Sequence, residues 1–143
     1  MNADCIPGNH GPRAVGSILI VEDEPTSREL LTRILGLKYP GSAVFTAENG
    51  EAGLAQFRTI NPAIVLTDIK MPVMDGMAMG REIRRIRPDA CIIALTAHSN
   101  LEGDMADDDR IFSHMVFKPV KIQDLQEAID ACAIVLSRSE GQP

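Results

Sequence analysis

The chain has 143 residues, 45% of them hydrophobic and 24% charged, with a formal net charge of -6. Those values suit one domain with a sizeable core and exclude wholesale disorder. An acidic balance with no basic stripe argues against a general nucleic-acid binder. No run approaches the roughly 18 apolar residues of a membrane span, and no basic region followed by an apolar one opens the chain. A cytoplasmic protein with no membrane partner is expected. Cys5, Cys91 and Cys132 are an odd number without metal-like spacing, and they are expected to be reduced thiols, two of them in the core.

Residues 1–16 are rich in Gly, Pro and Asn, lack periodicity and read as a flexible tail. Residues 17–22, Ser-Ile-Leu-Ile-Val-Glu, form an apolar strand that runs into Glu22-Asp23-Glu24 before Pro25 opens a helix. That helix, to about Lys38, is expected to bury Leu30, Leu31, Ile34, Leu35 and Leu37. Residues 43–47 form a second strand, and Asn49-Gly50 turns into a helix carrying Ala52, Leu54, Ala55 and Phe57.

Next comes the central stretch. Ala63-Ile64-Val65-Leu66 is a β-branched apolar run that ends on Thr67 and Asp68 before a Met-Pro and Asp-Gly break. After Gly76 a helix turns Met79, Ile83 and Ile86 inward, with Met71, Met74, Met77 and Met79 as packing residues. Its Arg81, Arg84, Arg85 and Arg87 read as a solvated face. Residues 90–96 are a strand ending on Thr96. Residues 100–111 are a weak, acidic helix, and residues 114–117 are a short strand ending at Lys118-Pro119. A last helix, residues 121–137, places Ile122, Leu125, Ile129, Cys132 and Leu136 on one face. Residues 17–137 thus form the domain, and residues 138–143 a polar tail.

Strand then helix, five times over, calls for a mostly parallel sheet covered on both faces by right-handed crossovers. Parallel strands end on one edge, so Glu22-Asp23, Asp68, Thr96 and Lys118 can converge there. Clustered carboxylates repel unless a hard cation neutralises them, and Mg2+ suits such ligands. Carboxylates, ammonium and hydroxyl together describe phosphoryl transfer to an Asp nucleophile. Each group also has an ordinary reading: acids at a helix start, a strand-end hydroxyl, a solvated lysine. Four such groups at the ends of strands favour the site.

Ile-Leu-Ile-Val-Glu-Asp-Glu-Pro, Leu-Thr-Asp-Ile-Lys-Met-Pro-Val-Met-Asp-Gly, Ala-Leu-Thr-Ala and Phe-Lys-Pro-Val occur in that order. With them the chain resembles response-regulator receiver domains of two-component signalling, over about residues 17–136. The resemblance implies an α/β, flavodoxin-like, doubly wound sheet of five parallel strands in the order 2-1-3-4-5 with five helices. It implies a phosphorylation-dependent switch in which Asp68 accepts a phosphoryl group from a sensor histidine kinase, the chain catalysing its own phosphorylation and dephosphorylation. It further implies that Asp23, Asp68 and the Lys70 carbonyl ligate Mg2+, with Glu22 acting through water. Lys118 pairs with Asp68 and then with the phosphoryl group, Thr96 moves to bond that group, and the Lys118–Pro119 bond is cis.

Met115 stands where such domains usually carry Tyr or Phe, and Phe117 lies on the same side of its strand. Lys70 and His98 fall where side chains overhang the phosphoryl group, and Lys70 is expected to influence how readily water attacks the phosphoaspartate. A phosphorelay role with a histidine phosphotransfer domain, a detached receiver of a hybrid kinase, and a homodimer formed on phosphorylation are compatible with the resemblance. A haloacid-dehalogenase-like phosphatase would want an Asp at position 70, where Lys70 stands. A degenerate receiver that only binds proteins would not need the full set of site residues.

Overall fold

The computed structural model describes residues 15–97 and 111–141. In chain order the elements are β1 (Ser17–Val21), α1 (Pro25–Lys38), β2 (Ala43–Ala47), α2 (Gly50–Ile60), β3 (Ile64–Asp68), α3 (Gly76–Ile86), β4 (Cys91–Ala97), β5 (His114–Lys118) and α4 (Ile122–Gly141). Four helices thus occur among the described residues. The helix expected over residues 100–111 lies outside them, except for Ile111, which sits in a turn. The last helix runs past its expected end at Ser137, to Gly141. No helix of the described residues is long and apolar enough to cross a membrane.

The five strands form one parallel sheet in the order β2-β1-β3-β4-β5. Because side chains alternate along a strand, each strand feeds two cores. Ile18, Ile20, Ile64, Leu66, Ile93, Leu95 and Val116 meet Leu31 and Leu35 of α1 and Leu125 and Ile129 of α4. Leu19, Val21, Val65, Ile92 and Ala94 meet Leu54 and Phe57 of α2 and Met77, Met79 and Ile83 of α3 on the other face. This is the doubly wound, flavodoxin-like arrangement.

Two cores on opposite faces explain where periodicity overcounted. In α1 only Leu31 and Leu35 are buried, while Leu30 and Leu37 are 56% and 78% exposed. Ile86 of α3 and Ile122 of α4 are likewise exposed, each standing at a helix end beyond the sheet's cover.

Two further expectations are corrected. Cys91 and Cys132 are not free thiols but a disulfide, joining the first residue of β4 to the inward face of α4. Their Cα atoms lie 6.2 Å apart, within bridging range, although they stand 41 positions apart in the chain. Nor is the arginine patch simply solvated. Arg84 donates to the Ile111 carbonyl at 3.0 and 2.7 Å, to the Pro88 carbonyl at 3.0 Å, to the Ala90 carbonyl and to Ser113 Oγ at 3.2 Å. Arg87 donates to Asn61 Oδ1 and to the Pro62 carbonyl at 2.7 Å, and lies over the Phe57 ring.

Candidate functional site

All strands point the same way, so their carboxyl ends share one edge. Register places Val21 beside Thr67, Asp68 beside Leu95, and Ala97 beside Lys118. Carboxylate oxygens of Glu22, Asp23 and Asp68 all lie within 4.8 Å of one another. Lys118 Nζ donates to Asp68 Oδ2 at 3.1 Å. The three acids and the ammonium expected from the sequence are therefore brought together.

Each is held by its local backbone. Glu22 follows β1, is buried, and accepts the Glu24 N–H on Oε2 at 3.1 Å. Asp68 closes β3, is buried, and accepts the Ile69 N–H on Oδ1 at 2.9 Å. Asp23 is exposed. The strand end is packed tightly: a Cβ at Gly76 would overlap the Asp68 carbonyl oxygen, and the Gly76 N–H donates to the Ile69 carbonyl at 2.8 Å. Gly at that position lets the loop return directly under the carboxylate.

The electrostatics follow from that crowding. Burial is the main cause that pushes the Glu22 carboxyl above its ordinary value; the Glu24 N–H and the Lys118 ammonium pull it back, while the Asp68 and Asp23 charges push it further up. Glu24 behaves differently. Its side chain caps α1 by accepting the Ser27 N–H at 2.7 Å, and that bond holds its carboxyl below the usual range. Glu24 thus serves the helix start, while the carboxylates of Glu22 and Asp23 lie close to that of Asp68.

Thr96 is buried at the end of β4, and its hydroxyl donates to the Ala97 carbonyl at 3.3 Å. Lys70 is exposed in the loop after β3. The Lys118–Pro119 bond is cis. Met115 is half-buried against the core on the α2–α3 face. His98 lies outside the described residues.

Two supporting residues escaped the sequence reading. Arg28 Nη1 donates to the Glu22 carbonyl at 2.8 Å and fixes the turn that carries both acids. A cation in the first turn of a helix, where the macrodipole disfavours it, was the available signal. Thr67 Oγ1 donates to the Asp68 carbonyl at 2.7 Å from a fully buried position.

Three carboxylate oxygen donors at this spacing suit a hard divalent cation of the Mg2+ class, which takes oxygen ligands and would offset their mutual repulsion. The family described as the response regulator receiver domain matches residues 18–130. The chain is 34% identical over 115 residues to the transcriptional regulatory protein GlrR of Escherichia coli, covering 79% of this chain and 25% of that protein. It is 34% identical over 128 residues to hybrid signal transduction histidine kinase C of Dictyostelium discoideum, covering 84% of this chain and 10% of that protein. The chain thus spans a quarter or less of these two relatives.

Among solved structures, a response regulator receiver domain protein from Clostridium thermocellum superposes with a TM-score of 0.78 at 31% identity, covering 85% of this chain and 97% of that one. The response regulator protein TrrA of Thermotoga maritima, in complex with Mg2+-BeF, gives 0.73 at 37% identity, covering 82% and 98%. On the shared sheet order, the strand-end acids and these matches, the chain belongs to the response regulator receiver domain family of two-component signalling.

Proposed function

We propose that this chain is a phosphorylation switch in which Asp68 accepts a phosphoryl group from a phosphohistidine of a sensor histidine kinase in the cytoplasm. The observation that carries the reading is the meeting of Glu22, Asp23 and Asp68 within 4.8 Å, with Lys118 at 3.1 Å from the Asp68 carboxylate. A carboxylate oxygen of Asp68 attacks phosphorus, the P–N bond to the donor imidazole breaks, and the electron pair returns to the ring nitrogen. Asp23, Asp68 and the Lys70 carbonyl would hold Mg2+, with Glu22 acting through water, and the cation would offset charge on the transferring oxygens.

The chain's own residues do the rest. Lys118 first pairs with Asp68 and then holds a phosphoryl oxygen, so its charge stays near the reacting centre throughout. Thr96 turns its hydroxyl away from the Ala97 carbonyl to donate to the phosphoryl group, and this turn alters the β4 end that partners read. Lys70, exposed two residues after Asp68, governs how readily water reaches the phosphoaspartate. The likeness to a hybrid histidine kinase favours a second reading, in which the group is relayed onward to a histidine phosphotransfer domain.

Intact mass after incubation with Mg2+ and acetyl phosphate tests the proposal. Wild type gains one phosphoryl group, and the gain disappears without Mg2+ and in Asp68→Ala. A protein that stays unlabelled while a control receiver is labelled would be a degenerate receiver that acts only by binding.

A further inference from the structure

The Cys91–Cys132 bond lies outside the phosphorylation chemistry, on the core shared by α1, α4 and the sheet. It bridges an interior strand to the last helix. We infer that this pair is a reversible thiol–disulfide exchange site, a latch that pins α4 to β4 when oxidised and frees it when reduced by a dithiol.

Three observations carry the inference. First, α4 has packing and hydrogen bonds of its own besides the disulfide. Leu125, Ala128 and Ile129 are buried beside Cys132, and the Tyr39 hydroxyl donates to Asp130 Oδ1 at 2.9 Å and to the Gln126 carbonyl at 3.4 Å. A domain of this length with two apolar cores needs no staple to fold, so both redox states can be native. Second, both cysteines are buried among apolar side chains, a setting in which neutral free thiols also commonly occur. Third, the bond grips elements that lead to the site. β4 carries Thr96 near its end, and α4 begins just after Lys118 and the cis Pro119.

The exchange runs in two displacements. Cys132 is fully buried while Cys91 keeps 7% exposure, so a reductant thiolate attacks the Cys91 sulfur. The S–S bond breaks, and Cys132 leaves as a thiolate and takes a proton. The reductant's second thiolate then attacks its own sulfur in the mixed disulfide, and Cys91 leaves and takes a proton. Two electrons pass to the protein, and the dithiol becomes a disulfide. Oxidised glutathione reverses the exchange through the corresponding mixed disulfide, ending as two glutathione thiols. Because the leaving thiolate is released into an apolar core, exchange is slow and follows transient opening of the helix.

The test uses the full chain carrying Cys5→Ser, so that only this pair titrates. The protein is equilibrated in mixtures of reduced and oxidised glutathione, or with dithiothreitol. It is then alkylated for thiol counting by mass and examined by hydrogen exchange and far-UV circular dichroism. The two thiols are expected to appear together, with the dichroism retained and with amides of α4 and the start of β4 exchanging at least about tenfold faster. A Cys132→Ala variant should exchange like the reduced protein in both buffers.

Thiols that appear only as the dichroism collapses would make the bond a structural staple and overturn the latch. Two thiols that stay unbonded in excess oxidised glutathione, or unchanged amide exchange on reduction, would overturn it equally. Loss of acetyl phosphate labelling in both redox states would count against the phosphorylation switch and leave the latch standing.

Discussion

Glu22 and Glu24, two residues apart on one turn, respond to pH in opposite directions. The Glu24 carboxyl is lowered below its ordinary 4.5 by the Ser27 N–H, so its capping contribution is complete above pH 4.5 and is lost as pH falls through the lowered value. Glu24→Gln should therefore lower the melting temperature at pH 7, and the gap to wild type should close in acid. Glu22 is raised by burial, so the unfolded chain ionises first as pH rises, and stability falls from pH 4.5 up to the raised value. Glu22→Gln is expected to raise the melting temperature of the Mg2+-free protein at pH 7 while weakening Mg2+ binding in a calorimetric titration. Stability sacrificed at one buried acid would then be the cost of a cation site. In the loop after β3, Lys70→Asn should change the rate at which labelled Asp68 loses its phosphoryl group; an unchanged rate would remove Lys70 from the hydrolysis step.

At the scale of elements, small residues and long cations do the joining that helix periodicity conceals. A Cβ on Gly53 of α2 would lie 2.7 Å from the Met79 sulfur and 2.9 Å from a Val21 methyl carbon, so α2, α3 and β1 approach only because that side chain is missing. Gly53→Ala should cost about 1–3 kcal/mol in urea unfolding, with the far-UV spectrum retained. Arg84 ties the end of α3 to Pro88 and Ala90 before β4 and to Ile111 and Ser113 before β5. Arg84→Met keeps much of the stem but strands those carbonyls, and a loss of about 2–4 kcal/mol is expected. A sequence reading sees four arginines on one helix and calls them a solvated face. Whether a long side chain reaches across to another element depends on how far that element lies, which helix periodicity does not encode.

For the whole molecule, the sheet order places the edge strands at β2 and β5 and the candidate site at the carboxyl ends of β1, β3 and β5, where Glu22 and Asp23 follow β1 while Asp68 and Lys118 close β3 and β5. The disulfide closes a long stretch of chain, with the ends 41 residues apart, and loop-closure entropy alone corresponds to about 4 kcal/mol. Chemical denaturation with and without reductant should show a loss approaching that value, and both forms should still bind Mg2+.

Much of this was legible in the residues. Apolar runs ending on Glu22-Asp23, Asp68, Thr96 and Lys118 told of parallel strands whose polar ends share one edge, since alternating strands and helices leave few other packings. Their order along the chain also matched a receiver, and those properties are local or nearly so. What only the tertiary structure decided were the matters of distance between remote segments: that Cys91 faces Cys132, that Arg84 reaches Ile111, that Arg28 holds the Glu22 carbonyl, and that Leu30 and Leu37 stay outside. A sequence carries periodicity, which sets the face a residue occupies on its own element. How two elements cross, and so which residues of those faces touch, emerges only when both cores are packed at once.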